Sequence, residues 1–326
     1  MKKFGSYFKE HFSSGFMTLL FVSIISVVLS FVFGFTGQVG VGEYRNASLG
    51  FSSFVIMATA YFVPVLEFSP FKKRRNLDCF YALPISRRAM GLVHYLTGLI
   101  TVTVPYVLAY LTNFLLLLRF LGGFELQFIV PHFFLVLLFG VINYTVMVFA
   151  FNEANSTNDG VAFMFFWNFL PGLLCGAVES RLGVNLFSYY GIGFMPESQI
   201  TASYSAGIEK EAYLRPELLW ESAALPVWIA VWCVIAVLAL LGFVFFFGRK
   251  RTEKAEEISD SFFGYRVLIP LMTAAIMLSM DLRGEIFAWL MFEILALVGY
   301  TVYRRGFHYK MSDLIVLLAL AVFLVI

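Results

Sequence analysis

The stretch FKKRRNLDCFYALPISRRAMG, residues 71–91, interrupts a chain made otherwise of long runs of Phe, Leu, Val and Ile. Six of the 23 basic residues fall between Lys72 and Arg88. They form two clusters, Lys72 to Arg75 and Arg87 to Arg88, around a short apolar and aromatic piece closed by Leu-Pro-Ile-Ser. The flanks of this stretch decide the fold. Apolar windows of about 20 residues recur on both sides, the length that crosses about 30 Å of hydrocarbon at 1.5 Å per residue.

Composition agrees. Hydrophobic residues make up 60% of the 326, charged residues 13%, and mean hydropathy is +0.83, whereas soluble domains carry nearer a quarter charged residues. The apolar runs are continuous rather than alternating, which excludes a β-barrel. The expected fold is an all-α polytopic membrane protein. Spans are expected at Phe16–Phe35, Leu49–Phe68, Gly91–Leu118, Phe128–Phe151, Val161–Val178 and Ala224–Phe247. Three weaker ones are expected at Val267–Met280, Ile286–Val302 and Leu314–Ile326. The first run is too long for the core of a signal peptide and lacks a small-x-small cleavage pattern.

Lys and Arg orient these spans. With the N-terminus inside, the inner segments hold Lys2, Lys3, Lys9, the six from Lys72 to Arg88, then Arg249, Lys250, Arg251, Lys254, Arg266, Arg304, Arg305 and Lys310. Only Arg45, Arg119, Arg181, Lys210, Arg215 and Arg283 fall outside. Cytoplasmic loops carry the positive excess, so this orientation satisfies the rule and its reverse violates it. The net charge of +2 is therefore a topology signal and gives no reason to expect nucleic acid. Cys79, Cys175 and Cys233 have no spacing that suggests a metal or an external disulfide. The Asn46-Ala-Ser48 sequon is short enough to arise by chance.

Within the opening stretch, Leu77, Phe80 and Tyr81 recur at i, i+3 and i+4 and share one helical face. Pro84 ends that helix and pushes Leu83 toward extended backbone. Ser86 stands where an N-cap is wanted for the helix that becomes the third span. The expectation is a short amphipathic surface helix, a break, and a new helix start, with the apolar face exposed as a docking surface for a partner protein. The plainer alternative is a basic loop that only fixes topology.

The run RRNLDCFYALPISRR resembles the intracellular loop of permease subunits of type-2 (type V exporter) ABC transporters. Leu83, Pro84, Ile85, Ser86 and Arg87 match that family's Leu-Pro-[Ile/Val/Leu]-[Ser/Thr]-Arg element. Phe4, Tyr7, Phe8 and Phe12, opposite Lys2, Lys3, Lys9 and Glu10, make an aromatic stripe suited to the membrane interface, similar to the family's N-terminal elbow helix over 1–14. The stretch FFFGRKRTEKAEE, 245–257, resembles the sequence just after the family's sixth span. The resemblance covers about residues 1–260.

It implies a six-helix permease core over 15–248 with a cytoplasmic coupling segment at 69–90 and an external segment at 179–223. A linker and two to three further helices over 249–326 are extra to that pattern. It further implies a bacterial plasma-membrane exporter subunit, N-terminus inside, working with a second copy or a similar permease and two copies of a cytosolic ATPase. The coupling residues would be Arg74, Arg75, Leu77, Asp78, Phe80, Tyr81, Leu83, Pro84, Ile85, Ser86 and Arg87. The cargo class implied is an amphipathic peptide or lipid-like compound. Residues 314–326 span only about 20 Å as helix, so the expectation is either a chain cut short or a last helix that begins near Met311 and sits shallow.

Several motifs are missing. The sequence has no GxxxxGK[ST] loop, so ATP and Mg would be held by the ATPase partner and no cofactor by this chain. It has neither HExxH nor GxSxG, the signatures of common membrane hydrolases. Glu209-Lys-Glu211-Ala-Tyr-Leu-Arg215 faintly resembles a CAAX-type protease pattern but lies in the outer loop, without a double Glu or intramembrane His pair. Acidic residues within spans are few, Glu67 and Glu293, and no Lys or Arg falls there. Asn113, Asn143 and Asn168 suit either a pathway or interhelical hydrogen bonds. Gly172 and Gly176 have the small-xxx-small spacing of a helix or dimer interface, next to Pro171, expected to kink or end its helix. Two other function classes fit the sequence: a sensory or immunity membrane protein signalling through a cytosolic partner, and an ion-coupled carrier.

Overall fold

In the computed structural model the described residues are 2–36, 41–121, 126–182, 224–249 and, with short gaps, most of 255–318. They form α1 (Lys2–Thr36), α2 (Val41–Phe68), α3 (Arg74–Tyr81), α4 (Arg87–Leu121), α5 (Leu126–Glu153), α6 (Thr157–Leu182), α7 (Ala224–Arg249), α8 (Tyr265–Ser279) and α9 (Ile286–Arg304). No strand occurs among them. Among the described residues five helical segments are long and apolar enough to cross a membrane: Phe4–Phe33, Phe51–Lys72, Arg87–Leu116, Ile129–Glu153 and Ile229–Arg249. The chain is thus an all-α, membrane-embedded protein.

Two expectations change. The interfacial helix over 1–14 is not a separate element, because α1 runs unbroken from Lys2 to Thr36. No proline lies in 2–36 to break it. Helix α6 does not end at Pro171, the second of the two outcomes expected there, but runs on to Leu182, as membrane helices tolerate when neighbours re-satisfy the freed carbonyl. The external segment 179–223 lies outside the described residues from 183 onward, and Met311 and residues 313–315 are helical, in keeping with a last helix that begins near Met311.

The contacts divide the chain into two compact units, residues 1–149 with 195–252, and residues 150–194 with 253–326. In the first, α4 packs along α1, α2 and α7. Gly91 permits close approach at one end, since a Cβ there would strike the Phe247 ring. Tyrosines of α4 reach toward α5: the Tyr106 hydroxyl donates to the Phe133 carbonyl at 3.0 Å and the Tyr110 hydroxyl to that of Ile129 at 3.0 Å. Tyr144 of α5 donates back to the Tyr95 carbonyl at 3.1 Å. Lipid tails are as apolar as Leu, so such bonds and close packing, rather than hydrophobic burial, hold neighbouring spans together.

In the second unit α6 packs along α8, and α8 along α9. The core is Ala154, Phe163, Leu170, Leu268 and Ala275. The six-helix pattern groups the fifth span with the first four; in the structure that helix shares its unit with α8 and α9.

Candidate functional site: the face carrying residues 69–90

Four helix ends meet on one face of the first unit: the start of α1, the end of α2, the start of α4 and the end of α7. Phe68, the last residue of α2, packs its ring 5.4 Å from Phe243 of α7. Phe71 lies 5.4 Å from Phe247 of α7 and 4.8 Å from His94 of α4. Tyr7 of α1 reaches the same His94. Helices that alternate in direction must bring these ends to one side, so the N-terminus, the 69–90 segment and Arg249 share a membrane face.

The segment is built by local rules. A single 3-10 turn, Ser69–Lys72, with Pro70 in its first two positions, leads out of α2. Proline costs little there, because its missing N–H has no partner in a first turn. Helix α3 comes next. The Ile85 N–H then donates to the Leu83 carbonyl at 2.8 Å, a three-residue turn centred on Pro84. The Ser86 hydroxyl accepts the Ala89 N–H at 3.3 Å, the N-cap expected from the sequence.

The two faces of α3 differ from expectation. Leu77 is buried, and the Phe80 ring lies 4.5 Å from Phe71. Leu77 is therefore covered, and the half-buried Phe80 turns toward Phe71, which packs in turn on Phe68 and Phe247, so this side of α3 is used at least in part within the protein. An i, i+3, i+4 pattern says which side chains share a face; it does not say what covers that face. The outward side carries Lys73, Arg74, Arg75, Leu83, Pro84, Ser86, Arg87 and Arg88, all exposed, with Ile85 half-buried. The side chains of Asp78 and Tyr81 lie outside the described part of α3.

A polar group beneath the cluster is not apparent from the sequence. Glu67 Oε2 lies 2.9 Å from His11 Nε2 and 3.0 Å from His94 Nδ1. An ionised carboxylate only accepts, so each imidazole presents an N–H to it. That leaves His94 Nε2 as the acceptor for the Tyr7 hydroxyl at 3.2 Å. The two imidazole rings lie 3.8 Å apart. The His94 side chain is 3% exposed, Glu67 14% and His11 21%, so the group is screened from the surface but open at the His11 edge. Sequence singles out Glu67 alone. Its partners sit 56 and 27 residues away, and only equal depth in three helices would have joined them.

The other predicted positions are distributed. Asn113, buried, donates to the Ser52 hydroxyl of α2 at 2.7 Å, the interhelical use. Asn143 is buried with neither its amide nitrogen nor its oxygen hydrogen-bonded, and Asn168 is buried on α6. Gly172 and Gly176 lie on α6, their surroundings outside the described part.

No family model, curated protein or solved structure matches this chain. Functional assignment therefore rests on the geometry of this face.

Proposed function

We propose that this chain is the permease subunit of an ATP-driven exporter, related to the type-2 (type V exporter) ABC class, in a bacterial plasma membrane with its N-terminus inside. It would pair with a second copy or a similar permease, and with two cytosolic ATPase subunits that hold ATP and Mg. The observation that carries this reading is the construction of segment 69–90. A short helix buries Leu77 and sets Phe80 against Phe71 of the preceding turn, itself packed on His94 of α4 and Phe247 of α7, while its basic outer face and the Leu83–Pro84 turn stand exposed. Such a part transmits a push. A partner gripping the outer face moves α3, and the aromatic cluster passes that movement to the ends of α2, α4 and α7.

The coupling roles then separate. Arg74, Arg75, Leu83, Pro84, Ser86 and Arg87 meet the ATPase, whereas Leu77 and Phe80 connect α3 to the spans. ATP-driven closure of the ATPase pair would tilt α4 and switch an inward-open cleft to an outward-open one, moving an amphipathic cargo such as a peptide.

The ion-coupled carrier draws support from the cluster of His11, Glu67 and His94. That group lies at helix ends: Glu67 is the penultimate residue of α2, and His94 is seven residues into α4, about 10 Å from its start. Carriers place their coupling sites near the midplane, so the exporter reading is preferred.

Co-purification with any ABC-type ATPase encoded beside this chain tests the proposal. The expected result is a stable complex whose ATP turnover responds to amphipathic peptides, with none from the chain alone. Turnover by the chain alone, or an ATPase that neither binds nor responds, would refute it.

A further inference from the structure

We propose that His11, Glu67 and His94 form a binding site for one divalent transition-metal ion of the zinc type, bridging α1, α2 and α4. The inference is independent of the exporter reading. Three donors from three helices converge: His11 Nε2, His94 Nδ1 and the Glu67 carboxylate, no two farther apart than 4.8 Å. Zinc holds such ligands at about 2.0–2.2 Å, which places donors about 3.3 Å apart around a tetrahedral ion. The observed 2.9 and 3.0 Å to Glu67 open by a few tenths of an ångström once the N–H protons leave, and the two imidazole nitrogens, within 4.8 Å of each other, close toward the same separation.

The donor chemistry fits. Two imidazoles and a carboxylate suit zinc and its neighbours rather than calcium or magnesium, which take oxygen. A divalent ion also compensates the carboxylate in a poorly hydrated place, where a lone charge is costly. The outer shell is present as well. Tyr7 sits on the second ring nitrogen of His94 at 3.2 Å, the position from which a hydrogen bond fixes the ring and leaves Nδ1 for the metal. The half-buried His11 provides an entry path, which the fully buried His132, held by Tyr110 at 3.1 Å, does not have.

The consequence is mechanical. A bound ion ties the ends of the three helices around which segment 69–90 is anchored, for Phe71 packs on His94 itself. No local motif announces the site, since each helix gives one ligand.

The test uses the full chain in detergent, stripped with a chelator and then titrated with Zn2+ against a chromophoric competitor, with Co2+ as a spectroscopic probe. The expected result is one Zn2+ per chain with a Kd of about 1 μM or tighter, and a Co2+ spectrum of low coordination number. Glu67→Gln and His94→Ala should each weaken binding by about 100-fold, and Tyr7→Phe by about tenfold. Monodisperse elution of each variant separates lost ligation from lost folding, and the wild-type titration stands without them. No saturable Zn2+ binding to wild type, or binding unchanged in folded Glu67→Gln, would overturn the proposal.

Discussion

Two connections in this molecule differ in how they use their polar groups. Between α5 and α6 the chain turns within a few residues, and polar groups at that turn bond inside the protein. Asp159 accepts the Ser259 N–H at 3.3 Å and the Tyr265 hydroxyl at 2.9 Å. The Ser261 hydroxyl donates to Glu153 at 2.5 Å, and the Glu256 N–H to the Asn155 carbonyl at 3.1 Å. Between α2 and α4 the connection is longer and more basic, and it buries its apolar side while leaving Arg74, Arg75, Arg87 and Arg88 exposed. The first is a clasp. The second is a surface held in place from behind, and that difference is why only the second is assigned a partner.

The largest expected effect separates anchoring from docking. Phe71→Ala removes ring contacts to Phe80, His94 and Phe247 at once, and such truncations cost about 3 kcal/mol or more. Segment 69–90 should loosen, seen as faster tryptic cleavage at Arg74 and Arg75, with α5 and α6 unaffected. Unchanged cleavage would mean that the aromatic cluster is not the anchor.

Asp159→Ala comes next. It leaves a donor on Ser259 and one on Tyr265 without their acceptor, which costs about 2 kcal/mol. Thermal stability in detergent should fall while ATPase binding holds. If instead ATPase affinity fell and stability held, the two connections would have exchanged roles.

Leu83→Ala should be silent in stability, within about 0.5 kcal/mol, yet weaken the ATPase complex about tenfold, as loss of an interfacial apolar anchor does. Smallest is Arg74→Gln with Arg75→Gln. Rim charges act mainly on association rate and salt sensitivity, so binding should slow a fewfold at low salt and converge with wild type at high salt.

How much the sequence discloses depends on the range of each interaction. Five of the expected apolar spans, the Ser86 cap and the Pro84 break are local, and each is where the residues imply. The aromatic stripe at the start of α1 suggests a separate element, although nothing between Lys2 and Thr36 breaks the helix. Periodicity places Leu77 and Phe80 on one face but does not say what meets it: the Phe80 ring meets Phe71 of the preceding turn, with Phe247 of α7 beyond it. His11, Glu67 and His94 are unreadable as a group for the same reason: their meeting is a property of packing among α1, α2 and α4.

The most direct measurement of the central claim is the labelling of Leu83→Cys by a membrane-impermeant maleimide, in a chain whose Cys79, Cys175 and Cys233 are replaced by Ser. Vesicles of both orientations are compared, with and without the ATPase. The account predicts labelling from the cytosolic face alone, slowed at least about tenfold when the ATPase is bound, because an interfacial core excludes water. Labelling from the opposite face, or a rate indifferent to saturating ATPase, would contradict it.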